Sequence, residues 1–373
     1  MQFLQLSSVM HRLAVGKPLP FNVRNADQTL LLARGHVVDT SDQMESLLSR
    51  GALVDLDELL TPQDRIRQAP AEQLPKLWCQ CMDRISETLQ SCTQQGFTEA
   101  LDEVTGPVQA LIERDSDLAI FQVLRQDGNA HAQYGVNHSI HTAIAVFMVA
   151  RRLGWDESGV QKVFKVALTM NLSMLELQGQ LAEQATPVTH EQRVAILSHP
   201  QRSVHMLELT GVTDRDWLDG VAHHHVAPHD SGYPVLDHEP NDLAALVRRA
   251  DIYIAKLSPR QTRSAMAADR AGRTMFMSDP GSSMTAALVK EFGVYPPGCF
   301  VKLVSGETAV VVKRGPTIVT PLVAVLTTPS GATLIDPLPR DTGKREHAIV
   351  GVVGEASVSA RIVPEKLMKL ALA

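Results

Sequence analysis

The chain has 373 residues, of which 44% are hydrophobic and 20% are charged. That length allows two or three domains with a sizeable core, and the composition is that of an ordinary globular protein. The formal net charge of −6 argues against a nucleic acid polymer or an anionic membrane surface as a partner. The longest uncharged apolar stretch, residues 142–150, is about half the length that a membrane span requires.

The first residues lack the basic start and apolar core of a secretory signal, and we expect a cytoplasmic protein. The four cysteines, Cys79, Cys81, Cys92 and Cys299, are too few and too unevenly spaced for a disulfide framework. We therefore predict reduced thiols that are packed inside the protein.

Residues 1–65 predict a small mixed α/β module. Extended runs at 18–24 and 30–38 are followed by Ser41, which is placed to cap a short helix that Gly51 would end. A segment rich in proline, charged and amide side chains follows, and it indicates a domain boundary before residue 75.

Residues 75–293 predict a helical domain without a central sheet. Apolar residues recur at three- and four-residue spacing, as in Trp78, Met82, Ile85 and Leu89. The expected turns between helices are Gly96, Gly106–Pro107, Asp127–Asn129, Gly154, Gly211 and residues 279–281.

Residues 295–373 predict a small β module, because Val, Thr and Ile alternate there with Gly and Pro. The expected strands are 299–304, 308–313, 317–326 and 348–353. The chain as a whole is therefore predicted to be mainly α, with a helical bundle between two small modules that contain strands.

A cluster of histidines lies in residues 221–234, which read VAHHHVAPHDSGYP. This segment resembles the HHExxDGxGYP signature of the HD-GYP family, a helical domain of bacterial cyclic di-GMP signalling. With residues 232–234 aligned to the GYP ending, His224 and His225 fall on the paired histidines of the signature.

The acidic members of the signature are absent. Val226 stands in place of the glutamate and His229 in place of the aspartate. The resemblance implies that Gly232 and Tyr233 contact the ligand. A Gly-Tyr-Pro sequence also makes a rigid turn for backbone reasons alone, so its presence indicates the family and not an activity.

Other family segments follow in the expected order. His138 opens a long helical pattern, as the first metal-binding histidine of the family does, and His199 lies in a Leu-Ser-His-Pro segment that resembles a second one. Asp251 lies in Ala-Asp-Ile-Tyr-Ile-Ala, which resembles the helix that carries the last metal-binding aspartate.

The resemblance continues towards the end of the chain. Arg260 and Arg263 match basic residues that follow that helix in the family, although Thr262 replaces a tyrosine. The segment that begins at residue 295 is similar to the tail that often follows these domains. The resemblance therefore covers about residues 75–373.

The His-Asp pair that gives the HD superfamily its name is missing. Its place falls in residues 167–174, where Met170 replaces the histidine, Asn171 the aspartate and Met174 a lysine. In the family that aspartate bridges two metal ions. An asparagine offers one neutral oxygen and a methionine thioether is a poor ligand for hard cations, so we expect no binuclear centre.

A partial centre remains. The resemblance implies that one site keeps His199, His224 and His225, a set with an open position that suits a single divalent metal (Fe, Mn or Zn). The other site keeps only His138 and Asp251.

Several neighbouring residues have two interpretations. Arg260 and Arg263 either clamp phosphates or are solvated surface charges. His223 and His229 are either surrogate ligands or exposed, and we favour exposure. His141, one turn from His138, is expected to face the same pocket in a hydrogen-bonding role.

Three functions are compatible with this pattern. The favoured one is an inactive HD-GYP protein that binds cyclic di-GMP or a related nucleotide, or signalling proteins such as diguanylate cyclases. The second is an active cyclic di-GMP phosphodiesterase whose rebuilt site recruits Asn171, His223 or His229. The third is a metal-free scaffold of the related HDOD kind.

Overall fold

The computed structural model describes residues 2–125, 133–226, 233, 240–354, 357–358, 366–367 and 370. The chain divides into two compact units, Met1–Gln68 and Ala69–Ala373. None of the helices in this described part combines the length and apolar character that crossing a membrane requires.

The first unit is built on a four-stranded antiparallel sheet with the strand order β1-β4-β2-β3. The strands and helices are β1 (Phe3–Gln5), β2 (Val23–Arg24), β3 (Leu30–Leu32), α1 (Ser41–Ser49), β4 (Leu53–Asp55), α2 (Leu56–Leu59) and α3 (Pro62–Gln68). Phe21, Val23 and Val54 are fully buried in its core.

The cap of α1 differs from the prediction. Thr40, not Ser41, is the N-cap, because Thr40 has extended backbone angles and its side chain accepts a hydrogen bond from the Gln43 N–H. Ser41 is already the first helical residue. A one-residue error of this kind is typical when both candidate caps are hydroxyl residues.

The second unit begins with eleven helices among the described residues, and the prediction of a mainly α protein is confirmed. Their bounds are α4 (Leu74–Gln90), α5 (Phe97–Arg114), α6 (Ser116–Leu124), α7 (Tyr134–Arg152), α8 (Glu157–Thr169), α9 (Leu175–Glu183), α10 (His190–Leu209), α11 (Arg215–His223), α12 (Asp242–Leu257), α13 (Ala268–Ser278) and α14 (Ser283–Phe292).

Helix α7 is the centre of this bundle. It packs against α8, α9, α12 and α14, and nearly every residue from Tyr134 to Ala150 is buried. A helix buried on all sides reads as continuously apolar, and this accounts for the uncharged stretch at 142–150.

The predicted turn at Gly106–Pro107 is wrong, because both residues lie inside α5. Pro107 cannot donate a backbone hydrogen bond. The helix continues through it because Leu101, Val108 and Leu111 are buried on the same packed face. The turn predicted at 127–129 lies outside the described residues.

A five-stranded antiparallel sheet follows the helices, with the strand order β8-β7-β6-β5-β9. The bounds are β5 (Phe300–Leu303), β6 (Thr308–Lys313), β7 (Leu322–Thr327), β8 (Thr333–Asp341) and β9 (Ile349–Val353). β8 was not predicted, because it contains Pro337 and Pro339. Its place at the edge of the sheet explains why the prolines are tolerated there.

Arg314, directly after β6, connects this sheet to the helices through ion pairs. Its guanidinium pairs with Asp117 at the start of α6 and with Glu291 in α14, 3.2 Å from the Glu291 carboxylate. Arg152 at the end of α7 pairs with the same glutamate. Arg314 therefore joins the sheet to α6 and α14. Because Glu291 also pairs with Arg152, the same contact extends to α7.

All four cysteines are free thiols. Cys81, Cys92 and Cys299 are buried, and burial raises the pKa of Cys81 to about 11. The prediction of packed thiols is wrong for Cys79, which is exposed. Two residues apart on α4, Cys79 and Cys81 point to different faces of the helix.

Candidate functional site

Three predicted histidines come together at one end of the bundle. His199 lies in the middle of α10, while His224 and His225 directly follow α11. One ring nitrogen from each lies within 4.8 Å of the other two. His199 and His224 have almost no exposed surface.

The rings of His199 and His224 are fixed by backbone carbonyl groups. The Nδ1 of His199 lies 2.6 Å from the Ile196 oxygen, and the Nδ1 of His224 lies 2.7 Å from the Val221 oxygen. A carbonyl oxygen only accepts hydrogen bonds, so both Nδ1 atoms carry the proton and donate. The Nε2 atom of each neutral ring is therefore a lone-pair acceptor.

These two acceptors face each other at 3.1 Å. Two lone pairs at that distance repel unless a proton or a metal ion lies between them. Burial lowers the pKa of His199 to about 4, with His225 adding to the effect. Burial also lowers the pKa of His224 well below its usual value, so a shared proton is disfavoured at neutral pH. The pair is chemically suited to hold a cation.

Carbonyl groups behind the ring N–H groups are a common arrangement around metal-binding histidines, because they fix the tautomer and the ring orientation. His225 completes the set, with its ring centroid 4.2 Å from that of His224. Burial is the largest cause of the lowered pKa of His225. Tyr233 stacks on His225 with the ring centroids 4.7 Å apart, and burial raises the pKa of Tyr233 to about 12.

His138 and Asp251 form a second group in the same pocket. The Nε2 of His138 lies 2.6 Å from Asp251 Oδ1, which joins α7 to α12. Burial alone would raise the pKa of Asp251, but His138, His225 and His224 together hold it well below its usual value. The Nδ1 of His138 is buried and has no hydrogen-bond partner among the described residues.

Gly135 allows α7 to approach α9 closely enough to form one wall of this pocket. A Cβ atom at this position would lie 2.3 Å from the Leu175 backbone oxygen, so only glycine fits without a shift of the backbone. Gln178 and Leu181 of α9 line the same pocket as His138 of α7.

The pocket between these groups has a volume of about 170 Å³ within the described residues. This is smaller than the roughly 300–1,000 Å³ of ordinary small-molecule sites. Its walls combine residues of both histidine groups with one arginine and two amides. The lining residues are Tyr134, His138, Asn171, Met174, Gln178, Leu181, Ile196, His199, His225, Tyr233, Asp251, Ala255 and Arg260.

One of the two positions of the missing His-Asp pair lies at this pocket. Asn171 and Met174 line it, whereas Met170 is fully buried and does not. The preceding Thr169 is held by a 2.9 Å hydrogen bond from the Trp217 ring nitrogen in α11. In the portions of the chain that the structure describes, no carboxylate joins the three-histidine cluster.

Not every predicted residue reaches the pocket. Arg263 is exposed, and its guanidinium donates to the Ala255 carbonyl. His223, expected to be exposed, is partly buried and pairs with Asp219 at 2.8 Å. His141 is buried and does not line the pocket.

The structure describes some of the signature residues around the predicted turn. Val226, in place of the glutamate, is buried. His229 and Gly232 lie outside the described residues.

Two polar residues of the pocket, Tyr134 and Gln178, were not predicted from the sequence. Arg248 was not predicted either, and it adds to the effect of burial in lowering the pKa of His225. Tyr134 lies four residues before His138 and therefore on the same helix face, which was an available signal. Gln178 lies on a short helix with no recognisable motif.

The fold is a helical bundle with a pocket lined by three histidines (His138, His199 and His225) and by Asp251, which is the architecture that the resemblance to HD-GYP proteins implies. In agreement, the chain is similar to the solved structure of Bd1817, an HDG"Y"P protein from Bdellovibrio bacteriovorus. The TM-score is 0.50, the sequence identity is 12%, and the match covers 78% of this chain and 98% of that one.

The sequence is also similar to the cyclic di-GMP phosphodiesterase PA4108 of Pseudomonas aeruginosa. The two are 26% identical over 200 residues, which is 52% of this chain and 48% of the relative. The match thus spans about half the length of that protein. No family model matches the chain. The resemblance to the HD-GYP family predicted from the sequence is confirmed.

The buried neutral histidines predict an acid-sensitive fold. His141, whose pKa burial and His138 lower to about 3, takes up a proton in the unfolded chain near pH 6.5 but not in the folded one. Stability should therefore be full above pH 6.5 and fall as the pH drops towards 4. Each such histidine contributes about 1.4 kcal/mol per pH unit. Urea unfolding of metal-free protein between pH 7.5 and 5 measures this slope.

His141→Gln should make the slope shallower by about that amount, whatever its effect on stability at pH 7.5. His205→Gln, which removes an exposed histidine of α10, should leave the slope unchanged. A stability that stays constant from pH 7.5 to 5 in the parent protein would contradict the burial of neutral histidines.

Proposed function

We propose that this chain binds cyclic di-GMP or a closely related nucleotide, together with one divalent metal ion, and does not hydrolyse it. The observation that carries the proposal is a cluster of three histidines whose ligand atoms lie within 4.8 Å of one another and which no carboxylate joins in the described residues. Asn171 lies in the pocket where the family has its bridging aspartate.

His199, His224 and His225 would hold the metal. The facing Nε2 atoms of His199 and His224 supply two lone pairs that have no proton between them at neutral pH, and His225 supplies a third ligand. Imidazole ligands suit Fe²⁺ and Zn²⁺, and Mn²⁺ less well. When bound, the ion would supply a Lewis-acid contact to a phosphate oxygen.

A second metal ion is not supported by these residues. Two-metal hydrolysis places the cations about 3.5–4 Å apart, and a bridging carboxylate offsets their repulsion. Asn171 carries no charge, and Asp251 is already engaged with His138 at 2.6 Å. The pocket therefore retains groups that bind a phosphate and lacks the charge that would assemble a hydrolytic centre.

The nucleotide is inferred from the phosphodiesterase relative and from the charge of the pocket. One cation and the Arg260 guanidinium would offset the charge of a phosphodiester group. The described pocket of about 170 Å³ is on the scale of a phosphodiester and not of a whole dinucleotide. The bases would then contact Tyr233 and surfaces outside the pocket.

A protein that binds a nucleotide without hydrolysing it would act by binding other proteins. We propose that the chain is a cytoplasmic regulator, whose partners are signalling proteins such as diguanylate cyclases. A metal-free scaffold is a weaker alternative, because it has no use for two buried acceptors that face each other at 3.1 Å. An active enzyme would need ligands from residues such as His229.

One metal ion per chain is the expected stoichiometry. Protein stripped with a chelator and reloaded with Zn²⁺ should contain one tightly held equivalent by elemental analysis. His224→Ala should weaken binding at least tenfold, because it removes one ligand of three. His205→Ala, on the exposed face of α10, is the matched control and should retain the metal.

A stoichiometry of two, or binding that survives His224→Ala unchanged, would contradict the one-metal site. A parent protein that binds no Zn²⁺, Fe²⁺ or Mn²⁺ would favour the metal-free scaffold.

Cyclic di-GMP should bind to the metal-loaded protein and bind more weakly after chelation, because the metal contributes part of the charge that attracts the phosphate. Isothermal titration calorimetry measures both affinities. GMP, which lacks the cyclic phosphodiester, is the control ligand and should bind at least tenfold more weakly. Equal affinities for the two ligands, or no binding of cyclic di-GMP, would overturn the proposed ligand.

A further inference from the structure

Tyr134 is a buried tyrosine that contacts both His138 and Arg260 in the pocket wall. It opens helix α7 one turn before His138 and is 3% exposed. Its ring lies parallel to the His138 ring, with the centroids 5.8 Å apart and an angle of 6° between the planes. The stacking fixes both rings on the same face of α7.

Arg260 also contacts Tyr134. The guanidinium carbon lies 5.2 Å from the ring centroid, within the range of a cation–π contact. The Arg260 Nε–H donates to the Tyr134 hydroxyl at 3.1 Å. One aromatic side chain therefore holds the arginine by two separate interactions.

The hydrogen bond to Tyr134 uses only the Nε donor of the Arg260 guanidinium. An arginine has five N–H donors in a rigid planar fork. Tyr134 takes the donor on Nε, which leaves four on the two terminal nitrogens. No hydrogen bond or ion pair joins those nitrogens to another described side chain, and Arg260 lines the pocket.

Arg260 also lies on a segment that needs such a support. It follows the end of α12 at Leu257, and its backbone makes only a short antiparallel bridge to Arg263. Arg263, three residues further on, is exposed and turns back to the Ala255 carbonyl. The contact with Tyr134 is what distinguishes the two arginines.

We propose that Tyr134 is a positioning residue that fixes Arg260 as the phosphodiester-binding cation of this pocket. The inference rests on the proposed function for the identity of the nucleotide, but not for the chemistry of the anion. A preorganised guanidinium loses less side-chain entropy on binding, so the cost of ordering it is met before the ligand arrives. The positive charge on this side of the pocket is then supplied by an arginine and not by a second metal ion.

A double-mutant cycle tests the positioning role. Affinity is measured for Tyr134→Phe, Arg260→Ala and the double variant, each loaded with one equivalent of Zn²⁺. The ligands are cyclic di-GMP and bis(4-nitrophenyl) phosphate, a simple phosphodiester. Tyr134→Phe keeps the ring and removes the hydroxyl, so it should weaken binding about three- to tenfold. Arg260→Ala should weaken binding at least tenfold.

In the Arg260→Ala background, Tyr134→Phe should change the affinity by less than about twofold, because its effect acts through the arginine. A merely structural role would give the same loss in both backgrounds, and such additivity would overturn the inference. Tyr295→Phe removes a phenol hydroxyl outside the pocket and is the matched control, with no change expected in either background.

The two ligands separate this inference from the proposed function. Coupling between Tyr134 and Arg260 with the simple phosphodiester, in a protein that does not bind cyclic di-GMP, would support the positioning role and reject the nucleotide. Binding of cyclic di-GMP that is unaffected by Arg260→Ala would support the nucleotide and reject the positioning role.

Discussion

The site depends on two histidine nitrogens that face each other without a proton between them. Backbone carbonyl groups take the N–H of each ring, and the two remaining lone pairs meet 3.1 Å apart inside the protein. Burial lowers the pKa of both rings, so the protein cannot relieve the repulsion by protonation at neutral pH. The arrangement is costly without a cation and becomes favourable with one.

The pocket does not favour a second metal ion, because Asn171 takes the place of the bridging carboxylate. Two divalent cations 3.8 Å apart would repel by roughly 15–20 kcal/mol even at an effective dielectric constant of about 20. A bridging carboxylate offsets much of that energy. In the described residues the position holds Asn171, while the one carboxylate that lines the pocket, Asp251, is bound to His138. In the proposed function, one metal ion and one arginine together bind the phosphate.

The sequence predicted the helical class and the histidine cluster because both follow from local patterns. Three- and four-residue periodicity predicted the bundle, and the positions of His199, His224 and His225 were predicted by alignment to family segments. The structure brings these three together. The absence of the His-Asp pair was predicted from the place where the family has it, residues 167–174, which hold Met170 and Asn171.

The errors arose where distant parts of the chain determine the structure. The helix continues through Pro107 because of tertiary packing, and β8 accepts prolines because it is an edge strand. Neither property is visible in a local window of sequence. Arg260 and Arg263 are equivalent in the sequence and differ only because Arg260 reaches Tyr134, 126 residues earlier in the chain.

Turnover of cyclic di-GMP by the purified protein tests whether the pocket binds a phosphodiester without cleaving it. The protein would be loaded separately with Mn²⁺, Fe²⁺ and Zn²⁺, and the nucleotides separated by chromatography. We expect that no pGpG or GMP forms with any of the three metals. Metal-dependent product that disappears when His224 and His225 are both replaced by alanine would contradict it, and would show that the site has been rebuilt for hydrolysis.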